Sequence, residues 1–157
     1  MPLIRPAVAA DEVFLLDLTE RLADFALPPW RTAKEIADAD DQILLAALRA
    51  PSPETAIFVA EAPAGSPVGY IFVSTRNDYF THERHAHVEV LVVDTLAEGR
   101  GVGRALLAAA EAWSAARGDR FITLNVWTQN TRARAVYDHL GYEPETVHYR
   151  KGVGDRK

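Results

Sequence analysis

Val93-Asp94-Thr95-Leu96-Ala97-Glu98-Gly99-Arg100-Gly101-Val102-Gly103-Arg104-Ala105-Leu106-Leu107 joins the end of a β-branched run to three alternating glycines and then to an alanine-rich helix. Glycine accepts positive φ and places no Cβ between the main-chain N–H groups and a bound group. The first turn of a helix adds N–H donors that lack intrahelical acceptors, together with a partial positive charge. A phosphate or pyrophosphate is the guest this backbone suits. Spacing separates the loop from two other phosphate loops. The dinucleotide fingerprint requires a glycine where Arg104 stands, and the mononucleotide loop ends in Gly-Lys-Ser/Thr, which is absent.

Working outward from the loop, residues 87–94 read as the strand that feeds it, and a helix from about 101 to 117 follows, stopped by Gly118. A strand over 121–126, a short helix opened by Asn130 and closed at Gly141, and a last strand over 143–151 complete this half. Before the loop, residues 3–7 form a first strand. Asp11 is placed to cap a helix with Val13, Leu16, Leu18 and Leu22 as its apolar positions. Pro28-Pro29 breaks the chain, and a second helix runs from about 33 to 49 with Ile36, Ile43, Leu44 and Leu48 apolar, ended by Pro51 and Pro53. These helices and the Pro28-Pro29-Trp30 loop are the expected place of partner recognition. Strands over 56–62 and 68–75, joined by Pro63-Ala64-Gly65-Ser66-Pro67, read as antiparallel neighbours. The polar and aromatic connection holding Asn77, Asp78, Tyr79, Phe80 and His82 is placed to line a pocket.

The chain of 157 residues suits a single domain, 1–157, and its 48% hydrophobic content can fill a core. A formal net charge of -5 and the absence of a long basic run argue against nucleic acid and leave room for a small cationic substrate. There is no cysteine, which removes disulfides, thiolate metal ligands and a cysteine acyl-enzyme. The first ten residues hold no apolar core of a signal peptide, and the apolar run 105–110 stops at Glu111, well short of the roughly 20 residues of a membrane span. The expectation is a cytoplasmic protein without a membrane partner.

A second constellation follows the loop: Asn130-Thr131-Arg132-Ala133-Arg134-Ala135-Val136-Tyr137-Asp138-His139-Leu140-Gly141-Tyr142. Each residue has a local account, Asn130 as a helix N-cap, Tyr137 as a half-buried aromatic and Gly141 as a helix terminator. Those accounts leave the order of the two segments unexplained. Gly99-x-Gly101-x-Gly103 resembles the pyrophosphate loop of the GNAT N-acetyltransferases, and Asn130-x-x-Ala133-x-x-x-Tyr137-x-x-x-Gly141-Tyr142 fills every position of that family's second motif. Glu98 stands where the family carries Arg or Gln.

The resemblance implies an α/β (α+β) GNAT fold, a mixed sheet splayed between its central parallel strands and flanked by helices, with acetyl-coenzyme A as co-substrate and a small-molecule or peptide amine as acceptor. It implies coenzyme contacts from the backbone of Leu91, Val92 and Val93, from Gly99, Arg100, Gly101, Val102, Gly103 and Arg104, and from Asn130, Ala133 and Tyr137. A bulge in the strand would free an N–H near residues 91–93 to polarise the thioester oxygen. Tyr137 would protonate the departing thiolate, since a phenol with a pKa of about 10 is protonated at neutral pH. The family draws its base from the strand. Simple alternation puts His87, Glu89, Leu91 and Val93 on one face, opposite Val88, Val90 and Val92. His87, with an ordinary pKa of about 6.5, and Glu89, suited to holding a cation, are the two candidates. The histidines at 82, 85 and 87 lack carboxylate or cysteine partners at a ligand spacing, so no metal is expected. A homodimer is common among proteins it resembles. The competing reading is a catalytically weak acyl-coenzyme A binding or sensor module, for which Glu98 speaks and against which Tyr137 and Asn130 speak.

Overall fold

Leu3–Pro6 (β1), Thr55–Glu61 (β2), Pro67–Asn77 (β3), Arg84–Val93 (β4) and Ile122–Leu124 (β5) lie in that order in one sheet. The first four strands are antiparallel neighbours, and β5 joins β4 in parallel. In this computed structural model residues 1–23 and 27–155 are described. They divide into two compact units, Met1–Asn125 and Val126–Lys157. Among the described residues no helix is long and apolar enough to cross a membrane.

In the first unit, α1 (Glu12–Thr19) and α2 (Ala33–Arg49) bury apolar residues with one face of the sheet. Leu15, Leu18 and Leu44 meet Ile57, Val59, Tyr70, Phe72, Val90 and Val92 in that core. The strand residues of this set alternate along β2, β3 and the upper part of β4, as a half-covered pleat requires. Tyr70 is fully buried, and its hydroxyl is satisfied by Thr19 Oγ1 at 2.5 Å, which in turn donates to the Leu15 carbonyl at 2.7 Å. The expected apolar face of α1 is shifted: Leu15 and Leu18 are buried, whereas Val13 is exposed. Asp11 precedes α1 but its carboxylate serves another partner, accepting from Arg5 at 2.8 and 2.9 Å and from Val8 N at 2.8 Å. Arg5 also donates to Glu61, so one guanidinium ties β1 to β2 and to the start of α1. The bounds of α2 match expectation, with Thr32 and Glu35 forming a reciprocal capping box at its start, whereas Ile43 of its expected apolar positions is exposed.

The other face of the sheet receives α3 (Val102–Ala116) through Val102, Leu106, Leu107, Ala110 and Ser114. Gly69 of β3 lets that helix approach. A Cβ added there would lie 3.0 Å from Val92 O and 3.3 Å from both Leu106 Cδ1 and Val102 Cγ1. Gly69→Ala should therefore lower unfolding free energy by about 1–3 kcal/mol, the usual cost of overpacking. Urea denaturation of the variant checks this, and wild-type stability would show that the helix can retreat without cost.

The last expected strand, 143–151, is irregular in the structure, and the strand expected over 121–126 contracts to β5. Val147 and Tyr149 are exposed, so segment 143–151 has no buried apolar face to hold it in a ladder. With β5 as the final strand, the parallel pair stands at the end of the sheet.

Candidate active site

Asp94 begins the turn after β4, its carboxylate accepting from Leu96 N at 3.0 Å, and Thr95–Ala97 closes one turn of 3-10 helix. Gly99 and Gly101 then take φ values of +74° and +80°. The left-handed conformation at Gly101 turns the chain into α3. Ala105 N is the first amide to donate within that helix, to Gly101 O at 3.0 Å. The N–H groups of Val102, Gly103 and Arg104 therefore point out of the helix start, where an anion can accept from them. Among the described residues, a Cβ at Gly99 or Gly101 would meet nothing within 4 Å.

Asp94 N donates to Val68 O at 2.7 Å. Hydrogen-bonded pairs recur at every second residue of an antiparallel ladder. Val92 and Val90 accordingly direct their peptide groups to β3, while Leu91 and Val93 direct theirs to the opposite edge. On that edge β5 pairs with Ala86, His87 and Val88 alone. β4 continues past its parallel neighbour, which among the described residues leaves the edge at 91–93 without a paired strand. The carbonyl of Val93 at this open edge accepts from the Arg21 guanidinium, whose other nitrogen donates to Glu98 Oε1 at 2.9 Å.

The register corrects the simple alternation of β4. Val73 pairs with Val88 and Phe72 with Val90, so Glu89 is the extra residue of a β-bulge. The bulge resets the side-chain phase. His87 shares the face of Val90 and Val92, and Val88 shares that of Leu91 and Val93. Glu89 reaches the Ser74 hydroxyl at 2.6 Å and receives two nitrogens of Arg76, at 2.8 and 3.1 Å on the same oxygen.

His87 is buried, with Nδ1 2.7 Å from Thr123 Oγ1. Burial and the positive charge of Arg76, opposed by Glu89, push its pKa down to about 4. The imidazole is thus neutral at physiological pH, and the ordinary value that recommended it as a base does not hold. Sequence reasoning missed Asp40 on α2. Burial, reinforced by the charges of Glu89 and Asp41, pushes its carboxyl up to about 6. The run Asp38-Ala39-Asp40-Asp41 was the available signal, but a helical acidic run reads as a solvated face.

An open groove of about 440 Å³ lies beside the partners of Glu89, lined by Glu54, Thr55, Ser74, Thr75, Arg76, Asn77 and Arg84. The connection after Asn77 does not continue this lining: Tyr79 and Phe80 are exposed and pack edge to face with each other. Its shape comes from Asp78, whose carboxylate accepts from the amides of Phe80 and Thr81.

In the second unit, Asn130 caps α4 (Thr131–His139), its side chain accepting from Ala133 N at 3.2 Å. Ala133 and Tyr137 lie one helical turn apart, and Tyr137 packs edge to face on Tyr142 at 5.8 Å. Partial burial raises the pKa of the Tyr137 phenol.

The acetyltransferase (GNAT) family profile matches residues 16–142. An aminoglycoside N(6')-acetyltransferase type 1 of Stenotrophomonas maltophilia is 34% identical over 109 residues, covering 68% of this chain and 71% of the relative. A mycothiol acetyltransferase of Beutenbergia cavernae is 46% identical over 66 residues, which are 42% of this chain but 22% of that protein. Among solved structures, AAC(6')-Iy in complex with the bisubstrate analog CoA-S-monomethyl-acetylneamine superposes with a TM-score of 0.71 at 25% identity, over 98% of this chain and 99% of the other.

Proposed function

Because the chain belongs to the acetyltransferase (GNAT) family, we propose that it transfers an acetyl group from acetyl-coenzyme A directly to a primary amine of a small molecule, with both substrates bound together. The observation that carries this reading is the continuous turn from an unpaired β4 edge, through two left-handed glycines, to three outward amides of α3. Outward amides at Val102, Gly103 and Arg104 bind the pyrophosphate. Amides of Leu91 and Val93 face the thioester, and one of them stabilises charge on its oxygen.

The amine nitrogen attacks the thioester carbon, the C–S bond breaks and Tyr137 protonates the leaving sulfur. The chain has no cysteine to carry the acetyl group between two half-reactions, which favours direct attack. Glu89 and Asp40 attract the acceptor as an ammonium. Asp40, poised near neutrality by burial, takes the proton that the ammonium must lose before attack. His87 stays neutral and orients Thr123. Glu98, the residue that spoke for a binding module without turnover, has its charge matched by Arg21.

A panel of amines tests the reading by thiol release. A polycation such as an aminoglycoside should be turned over with a kcat/KM at least about tenfold above that of a monoamine, the effect of a second charge contact worth about 1.4 kcal/mol. Thiol release at the buffer rate with every amine would overturn it.

The pH profile assigns the base. A carboxylic acid with a pKa of about 6 is protonated and idle below that value, so activity should rise as pH passes about 6. Asp40→Asn should abolish that limb and lower the plateau by about 10². His87→Gln should leave the limb in place, since its proton is gone by pH 6. A limb that disappears with His87→Gln and survives Asp40→Asn would reverse the assignment.

A further inference from the structure

Arg21 comes from the single 3-10 turn Glu20–Ala23 that follows α1, yet its guanidinium ends at the two sides of the glycine turn. One nitrogen donates to the carbonyl of Val93, the last residue of β4, and the other to the carboxylate of Glu98, immediately before Gly99. Side chains of both residues are largely covered, at 22% and 26% exposure, so solvent screens the pair only in part. A planar guanidinium can hold both acceptors at once; an ammonium has no such fork.

Resting on the acetyl-coenzyme A reading above, we propose that Arg21 is a positioning residue for the coenzyme loop. It pairs with a carboxylate that would otherwise repel the pyrophosphate, and its bond to the Val93 carbonyl aims the guanidinium at that carboxylate. Val93 borders the thioester, and Glu98 borders the phosphates. Arg21 acts through these residues and takes no part in bond making.

The test compares acetyl-coenzyme A affinity by calorimetry, and steady-state kinetics, in wild type, Arg21→Gln and Arg21→Gln/Glu98→Gln. Arg21→Gln should raise the Kd and the KM for acetyl-coenzyme A by about tenfold while kcat and the amine KM stay within about twofold, because a carboxylate that has lost the Arg21 charge opposes the coenzyme and not the amine. Removing that carboxylate in the double variant should restore the Kd to within about threefold of wild type. A purely structural arginine gives no such rescue. Wild-type affinity in Arg21→Gln, or a double variant no better than the single one, overturns the proposal. Thermal unfolding establishes that each variant is folded. If Arg21→Gln does not fold, the double variant decides, with near wild-type affinity supporting the proposal and a loss beyond about tenfold overturning it. Failure of the wild-type protein to bind coenzyme A would instead remove the reading beneath this one, and the positioning role with it.

Discussion

Tyr137→Phe is expected to lower kcat by about 10² or more, the usual scale of lost general acid catalysis, while the Kd for acetyl-coenzyme A changes little. The substitution keeps the ring and its packing against Tyr142 and deletes only the hydroxyl. Partial burial raises the phenol pKa, so the proton is in place over the whole physiological range. A thiolate leaving without that proton must expel its charge into water. The defect should also depend on the leaving group: a thioester whose thiol has a low pKa needs less help and should narrow the gap between variant and wild type. Equal kcat in the two proteins would take Tyr137 out of the reaction.

Gly101→Val should weaken acetyl-coenzyme A by at least about tenfold, or about 1.4 kcal/mol. At φ +80° a β-branched residue is forced toward the β or right-handed region, which swings the start of α3 and misaims its outward amides. No neighbour among the described residues would meet the new Cβ, so the loss comes from backbone geometry and from the ligand. Gly103 provides the contrast. It lies in the first turn of α3 without positive φ, and among the described residues its added Cβ would touch only Val93 Cγ2, at 3.8 Å. Gly103→Ala should leave the fold intact and report only the crowding of the phosphate. Wild-type affinity in a folded Gly101→Val would refute the backbone site.

What could be read in advance follows from the range of the forces involved. The glycine loop, the start of α2 near residue 33 and the Asn130 cap are decided by neighbours within four residues, and those neighbours are adjacent in the sequence. The bulge at Glu89 is decided by how β3 and β4 slide against each other. A period-two pattern carries no mark of it, and every face assignment below residue 89 reversed as a result. The Arg21–Glu98 pair and the influence of Glu89 on Asp40 join distant segments, so neither left a local trace. His87 misled for a related reason: its ordinary pKa belongs to water, and the fold puts it out of water. The segment 143–151 failed because Val147 and Tyr149 supply apolar residues without a surface to bury them.

The uneven edge of β4 divides that strand into two populations of amide proton. Val90 and Val92 donate into the β3 ladder and should exchange with deuterium only when the sheet opens, whereas Leu91 and Val93, each one residue further along, face an edge that carries no strand among the described residues. Slow and fast protons should therefore alternate residue by residue through one strand. Bound coenzyme, by accepting from the fast pair, would erase the alternation, so the isotope pattern of a single strand could count occupied sites without any turnover at all.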